Sequence, residues 1–110
     1  MRILFLLANL LYAVASFAQA YPSKPVRIIV PYQAGQGTDV ATRHFAEHLT
    51  KNLGQSFFVE NRPGAGANIG TEAAAKSPPD GYTLMMGTVA THAMNQFMYA
   101  STGYDAEKDF

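Results

Sequence analysis

Two glycines that follow a short apolar run near the start of the chain indicate a site for an anion. The run, Val26–Val30, is almost entirely β-branched, as expected of a strand buried on both faces. Pro31 cannot donate to a sheet, so the strand should end there. Gly35 and Gly37 permit a sharp turn and a close approach of a ligand to the backbone. Because a helix should follow, its N-terminal N–H groups and partial positive charge would face that ligand.

Two more loops rich in small residues follow predicted strands in the same way. Strands are expected at 56–59 and 82–86, followed by loops at 60–68 and 87–91. Strands that alternate with helices are typical of a mostly parallel sheet with covering helices, so the predicted fold class is α/β. Right-handed crossovers would place all three loops at one edge of the sheet, where ligands of open α/β sheets bind.

The helix after the first loop is predicted at 38–53, with Thr38 or Asp39 as its N-cap and Gly54 as its C-cap. Residues spaced by four form an apolar stripe expected to face the core, namely Ala41, Phe45, Leu49 and Leu53, with Val40 and Ala46 beside it. The outward face should carry Arg43, His44, Glu47, His48 and Lys51. Shorter helices are expected at 69–76 and 93–98. Other expected core or covering residues are Phe57, Phe58, Met85, Met86, Met94 and Met98.

The composition limits the chain to one domain preceded by a leader. Residues 1–20 read as a secretory signal peptide cleaved after Ala20, because 3–17 are almost wholly apolar and Ala18-Gln19-Ala20 fits the cleavage pattern. The alternative, an uncleaved anchor, would be short for a membrane span. No cysteine is present, which excludes disulfides and a lipid-modified cysteine. Without Arg2, seven basic and eight acidic residues remain, and no basic patch indicates a nucleic-acid partner.

Several segments resemble, in the same order, the substrate-binding proteins of tripartite tricarboxylate transporters, the Bug/TctC family. They are Tyr-Pro-Ser-Lys-Pro-Val-Arg-Ile-Ile-Val-Pro at 21–31, Gly-Gln-Gly-Thr-Asp at 35–39, Val-Glu-Asn-Arg-Pro-Gly-Ala-Gly-Ala-Asn-Ile-Gly at 59–70, Pro-Pro-Asp-Gly-Tyr-Thr-Leu at 78–84 and Lys-Asp-Phe at 108–110. The resemblance implies a type II periplasmic-binding-protein fold with two lobes. Because family members run on well past the position of Phe110, residues 21–110 are expected to form the N-terminal, incomplete part of the first lobe.

The resemblance also implies a function. It predicts a periplasmic, non-catalytic receptor without a cofactor, which binds a small carboxylate and delivers it to integral-membrane transporter subunits. Family members hold the ligand in the three loops, largely through backbone N–H groups, small hydroxyls and bridging water. The corresponding residues here are Tyr32, Gln33, Ala34, Gly35, Gln36, Gly37, Thr38 and Asp39 in the first loop, Gly64, Ala65, Gly66, Ala67 and Asn68 in the second, and Gly87, Thr88, Thr91 and His92 in the third.

Some of these positions depart from the family pattern or have a structural alternative. Family members usually have prolines and a further glycine where this chain has Gln33, Ala34 and Gln36, so the ligand cannot be carried over from them. Asp39 is expected mainly to shape the first loop. Asn61 and Arg62 are expected to order the second loop, although Arg62 could instead contact a carboxylate.

Two other motifs suggest different chemistry. His44 and His48 share a helical face and, with Glu47 between them, match the H-x-x-E-H pattern of zinc peptidases. No third ligand is marked, and a solvated helix face is the simpler interpretation. Gly35-x-Gly37 approximates a dinucleotide-binding fingerprint, but its third glycine is missing.

A further alternative is that the chain is a truncated, non-functional remnant of a receptor, since a chain this short buries little core. No serine has a histidine placed near it by a known motif, so the sequence predicts no catalysis.

Overall fold

The computed structural model describes residues 20–110, which form a three-stranded parallel sheet with helices around it. The strands are β1 (Val26–Val30), β2 (Phe57–Asn61) and β3 (Thr83–Met85), in the spatial order β2-β1-β3. The helices are α1 (Gly37–Leu53), α2 (Asn68–Ala75) and α3 (Asn95–Met98). A 3₁₀ turn, Ala65–Ala67, precedes α2, and a π-helical turn, Ala90–Met94, precedes α3. The predicted α/β class is confirmed.

β1 is the central strand, and it is buried as its composition predicts. Val26, Ile29 and Val30 have no exposed surface, and Ile28 is 5% exposed. The strand pairs along its whole length with β2, from Val26–Phe57 to Val30–Asn61, and with β3 over Arg27–Ile29. Covering on both faces explains why this strand is apolar at nearly every position.

The bounds of α1 agree with the sequence prediction, but the helix face that it buries agrees only in part. Gly54 has φ 74° and its N–H bonds to the Thr50 carbonyl, so it ends the helix as predicted. The predicted core face is right only at Ala46, which is buried, and at Leu49, which packs against the buried cluster. It is wrong at Ala41, Phe45 (57% exposed) and Leu53 (45%), and Asp39 and Thr42 are buried although no apolar spacing predicted it. The predicted outward face is exposed: Arg43, His44, Glu47, His48 and Lys51.

Some other predicted core residues are also exposed. Phe57 belongs to the buried cluster formed by Val26, Ile28 and Ala46, but its neighbour Phe58 points away and is 45% exposed. The methionines of the last helical segment are not core either, because Met94 is 48% exposed and Met98 67%. Alternation along a strand explains the phenylalanine pair, since successive side chains point to opposite faces.

The predicted signal peptide, apart from Ala20, lies outside the described residues. Between residues 20 and 110, none of the helices has the length and apolar character that a membrane span requires.

Candidate functional site

The parallel strands bring the three candidate loops to one edge of the sheet. Loop residues 32–39, 64–68 and 87–92 follow the carboxyl ends of β1, β2 and β3, respectively. The Tyr32 hydroxyl shares a hydrogen bond of 2.7 Å with Oγ1 of Thr88, which joins the first loop to the third. Nδ2 of Asn61, at the end of β2, donates to the Tyr32 carbonyl at 3.1 Å. These contacts confirm that the loops converge on one edge.

Asp39 orders the first loop from inside. Its side chain is 3% exposed and accepts hydrogen bonds from the Gly35 N–H (2.8 Å) and Asn61 Nδ2 (2.8 Å). The Arg43 guanidinium lies one helical turn away, with Nε 3.1 Å from both carboxylate oxygens. The Gly35 N–H, the Asn61 amide and Arg43 together lower the pKa of Asp39 to about 2. Asp39 is therefore ionised at neutral pH.

Neither Thr38 nor Asp39 caps α1, so that prediction is wrong. The N-cap is Gln36, whose side chain makes no capping hydrogen bond, and Asp39 lies in the first turn with its carboxylate turned back to Gly35. The first N–H of α1 with a partner inside the helix is that of Val40, which donates to the Gln36 carbonyl. The preceding N–H groups, those of residues 37–39, lack intrahelical partners by the geometry of a helix start. They form a cluster of donors at the positive end of the helix dipole.

The second loop is tightly packed and has an unusual backbone. Ala65 and Ala67 have positive φ angles of 49° and 76°, and Gly66 between them has 62°. A Cβ on Gly66 would lie 2.0 Å from the Tyr99 hydroxyl, so any larger residue at this position would have to displace the Tyr99 ring. Asn68 is 5% exposed, and its side chain is hydrogen-bonded within the protein. Asn68 therefore helps to hold the second loop in place through its Oδ1.

The third loop is organised by two threonines. The Thr88 N–H donates to Oγ1 of Thr91 at 2.9 Å, and this hydroxyl also lies 2.7 Å from Nδ1 of His92. Thr91 is 2% exposed, whereas Thr88 is partly exposed and His92 is exposed. Thr88 and His92 can therefore reach solvent, while the buried Thr91 hydroxyl is hydrogen-bonded to both of them.

The candidate residues border two different cavities. A groove of about 500 Å³ between the first and second loops is lined by Tyr32, Gln33, Gln36, Gly64, Gly66 and Ala67, together with Asn95 and Tyr99. A larger groove of about 1030 Å³ runs along β3, where Gly87, Thr88 and His92 meet Leu84, Lys108 and Phe110. The remaining candidates line neither groove: Ala34, Gly35, Gly37, Thr38, Asp39, Ala65, Asn68 and Thr91. The Tyr32–Thr88 hydrogen bond joins a residue that lines the smaller groove to one that lines the larger groove.

Sequence reasoning missed several residues that line the two grooves, among them Asn95, Tyr99 and Lys108. Of these three, only Asn95 carried a signal in the sequence. It is a polar residue inside an otherwise apolar helical segment, and it is 4% exposed. Arg62, the alternative carboxylate contact, is paired through Nε with Glu60, which Arg27 also contacts at 3.0 Å. These two ion pairs lower the pKa of Glu60, Arg62 contributing most. Arg62 therefore orders the end of β2.

The two histidines of the H-x-x-E-H motif face solvent. The rings of His44 and His48 lie edge to face with their centroids 4.6 Å apart, and Glu47 pairs with Lys51 instead. Within residues 20–110, no three His, Cys, Asp or Glu side chains are grouped as metal ligands. The structure therefore offers no support for a zinc hydrolase.

The model of the tripartite tricarboxylate transporter family receptor, TctC, matches residues 41–110 of the chain. The chain belongs to the TctC family. A UPF0065 protein of Bordetella bronchiseptica is 42% identical over 107 residues, which cover 94% of this chain and 32% of that protein. The chain thus spans about a third of the length of this relative.

Solved structures agree with the TctC assignment. The chain is similar to R. palustris Rpa4515 with adipate (TM-score 0.78, 40% identity), over 80% of this chain and 29% of that one. It is similar to the periplasmic binding protein BugD, with a TM-score of 0.76 and 37% identity over 82% of this chain and 30% of that one. It is also similar to MatC from Rhodopseudomonas palustris with bound malate, with a TM-score of 0.78 and 33% identity over 82% of this chain and 31% of that one. Members of the TctC family are substrate-binding proteins, and this chain has their fold over the part that it covers.

Proposed function

We propose that this chain supplies the first-lobe binding loops of a periplasmic, non-catalytic receptor. The receptor captures a small carboxylate and passes it to the membrane subunits of a tripartite tricarboxylate-type transporter. The observation that carries the proposal is the uncapped N-terminus of α1, which lies at the sheet edge where the three loops meet. In this reading the chain is exported by a leader that is cleaved after Ala20.

The first supporting point is the chemistry of the donors. The first-turn N–H groups of α1 and the positive end of its dipole favour an anion. The exposed arginines near the loops are already engaged, since Arg43 pairs with Asp39 and Arg62 with Glu60. A carboxylate at the N-terminus of α1 would therefore be held by neutral N–H and hydroxyl donors and not by an arginine, and these hydrogen bonds become stronger when water is excluded.

The second supporting point is the ligands of the relatives. Rpa4515 is described with adipate and MatC with malate, both small dicarboxylates. The amide groups of Gln33 and Gln36 line the groove beside the α1 N-terminus, and they add donors and acceptors that can select among such ligands. We propose a small organic or amino acid with at least one carboxylate as the ligand.

A single lobe gives only part of such a site. Both grooves are open, so residues 21–110 alone should bind a carboxylate weakly, at millimolar concentration or above. A tight complex needs a second surface to close over the ligand and remove water.

The test is an NMR titration of ¹⁵N-labelled protein with adipate and with malate. Adipamide, in which both carboxylates of adipate are replaced by neutral amides, is the matched control ligand. We expect the two acids to shift the backbone amides of residues 37–39 and of Thr88, and adipamide to leave them unchanged. Equal shifts with adipamide, or shifts confined to other surfaces, would contradict the proposal.

A pair of tyrosine variants tests whether the junction of the first and third loops takes part. Tyr32→Phe removes only the hydroxyl that bonds to Thr88. Tyr99→Phe is the matched control, because Tyr99 lines the same groove and its hydroxyl has no hydrogen bond within residues 20–110. We expect Tyr32→Phe to weaken carboxylate binding up to about tenfold, the value of one hydrogen bond. Equal affinities for the two variants would exclude the Tyr32 hydroxyl from the site.

A further inference from the structure

We propose that Asn95 is a positioning residue, whose buried side-chain amide holds the second loop in place relative to the third. The inference rests on the proposed function, because it concerns the loops that would bind the carboxylate. It assigns a role to a residue that lies outside those loops, on α3.

The backbone of the second loop needs support from elsewhere in the protein. Ala65, Gly66 and Ala67 follow one another with φ angles of 49°, 62° and 76°. Residues with a Cβ rarely adopt this left-handed region, and two of these three are alanines. Such a backbone persists only where the surrounding structure holds it.

Asn95 provides that support from one side chain. Its Nδ2 donates to the Gly66 carbonyl and to Oδ1 of Asn68, both at 2.8 Å. Both amide hydrogens are therefore used, and the two acceptors lie on either side of Ala67. Asn95 is 4% exposed and Asn68 5%, so water cannot easily replace these hydrogen bonds. The amide thus bridges the turn where the backbone is least favourable.

Tyr104 extends the same contacts to the third loop. Its hydroxyl donates to the Thr91 carbonyl at 2.6 Å and lies 3.4 Å from Oδ1 of Asn68. Thr91 in turn accepts the Thr88 N–H through its own hydroxyl. We call Asn68, Thr91, Asn95 and Tyr104 the positioning cluster. It connects residues 13 to 36 positions apart in the chain, so the second and third loops cannot move independently while it is intact.

The position of Asn95 links this cluster to binding. The residue lines the groove of about 500 Å³ beside Gly66 and Ala67. Donors that are already fixed in place cost less free energy to order when a ligand binds. Loss of Asn95 should therefore weaken binding through disorder of the second loop, without removing a contact that the α1 N-terminus makes.

The test compares Asn95→Ala with two controls. Gln96→Ala alters the next residue, whose amide is exposed and bonds only to the Ala93 carbonyl at 3.2 Å. Ala46→Gly loosens α1 against the sheet, far from the cluster, and serves as a variant with general loss of stability. Amide hydrogen exchange at residues 64–70 and 88–92 is followed by NMR, together with the melting temperature and the affinity for adipate and malate.

For Asn95→Ala we expect exchange at residues 64–70 to accelerate about tenfold, as would follow from loss of about 1.4 kcal/mol of local stability, and carboxylate affinity to fall by a similar factor. Ala46→Gly should lower the melting temperature without a selective change at these residues. Unchanged exchange in Asn95→Ala, or an equal loss of affinity in Ala46→Gly, would overturn the proposal.

Tyr104→Phe gives a milder version of the same test, should Asn95→Ala fail to fold. It removes the hydroxyl contacts to Thr91 and Asn68 and should accelerate exchange at residues 88–92 first. Unchanged exchange in this variant would also count against the cluster. If the unaltered protein shows no shift with either acid, the proposed function fails, while the exchange data still decide whether Asn95 positions the loop.

Discussion

In the first loop, a charge holds the backbone in place: the Asp39 carboxylate accepts the Gly35 N–H and is flanked by Asn61 and Arg43. In the second loop, the backbone is held by the neutral Asn95 amide and by close packing. Both loops reach the same edge of the sheet. Because of this difference, protonation of Asp39 in acid should loosen the first loop and leave the second loop ordered. Loss of packing around the second loop should loosen that loop and leave the first one ordered.

The largest effect should come from packing beside the second loop. A Cβ on Gly70, in the first turn of α2, would lie 2.5 Å from the Arg62 carbonyl oxygen and 2.8 Å from Cα of Pro31. Because both neighbours are backbone atoms, Gly70→Ala should lower the free energy of unfolding by about 1–3 kcal/mol. Denaturant unfolding measures this loss.

The matched control for Gly70→Ala is Gly37→Ala, at the corresponding first turn of α1. A Cβ on Gly37 would meet nothing within 4 Å, so this variant should be neutral or slightly stabilising. Equal unfolding midpoints for the two variants would show that α2 is not packed more closely than α1.

The next effect is the acid response of the first loop. Hydrogen bonds from Gly35, Asn61 and Arg43 lower the pKa of Asp39 from its ordinary 3.8 to about 2. A carboxyl with a lowered pKa stabilises the fold fully above its unfolded value, and this contribution declines below about pH 3.8 and is lost below about pH 2. Amide exchange and chemical shifts of residues 33–39, followed from pH 5 to pH 1.5, should show this change.

Asp39→Asn is the control for the acid titration, because other carboxyl groups also titrate in this range. It should remove the acid-dependent change at residues 33–39 while residues 64–68 respond as before. A second loop that opens together with the first, at the same pH, would contradict the distinction between the two loops.

A smaller loss of stability is expected from Asn61→Ala. Asn61 donates to Oδ1 of Asp39 and to the Tyr32 carbonyl, so the variant should cost about 1 kcal/mol. It should also raise the pKa of Asp39 toward its ordinary value, because one of the groups that stabilise the carboxylate is gone. Unfolding curves measure the loss of stability, and the acid titration measures the pKa of Asp39. An unchanged titration would mean that Arg43 and Gly35 are enough to lower this pKa.

The smallest effect should come from an exposed ion pair on the same helix. Lys51 and Glu47 are 2.9 Å apart and both largely exposed, whereas the Asp39 end of the Arg43 pair is buried. Lys51→Ala should cost no more than about 0.5 kcal/mol and leave the first loop unchanged. A change in the amides of residues 33–39 would show that the helix surface, and not the buried carboxylate, controls this loop.

Much of the framework could be predicted from local sequence. The β-branched run ending at Pro31 marked β1, Gly54 marked the end of α1, and alternating strands and helices implied a parallel sheet. The positioning cluster could not be predicted, because Asn68 and Asn95 meet across 27 residues without any periodic pattern. The division of the candidate residues between two grooves likewise depends on how the loops pack.

Local sequence was enough to place the strands, the C-terminal end of α1 and the three loops, because β-branching, proline and glycine act on the backbone locally. Only the tertiary structure decided which face of α1 is buried. The apolar spacing pointed to Phe45 and Leu53, which are exposed, whereas the polar residues Asp39 and Thr42 turn inward. The reason is that the end of β2 supplies the Asn61 amide and the first loop supplies the Gly35 N–H as partners for the Asp39 carboxylate. An ion with such partners can be buried where apolar spacing alone would not place it.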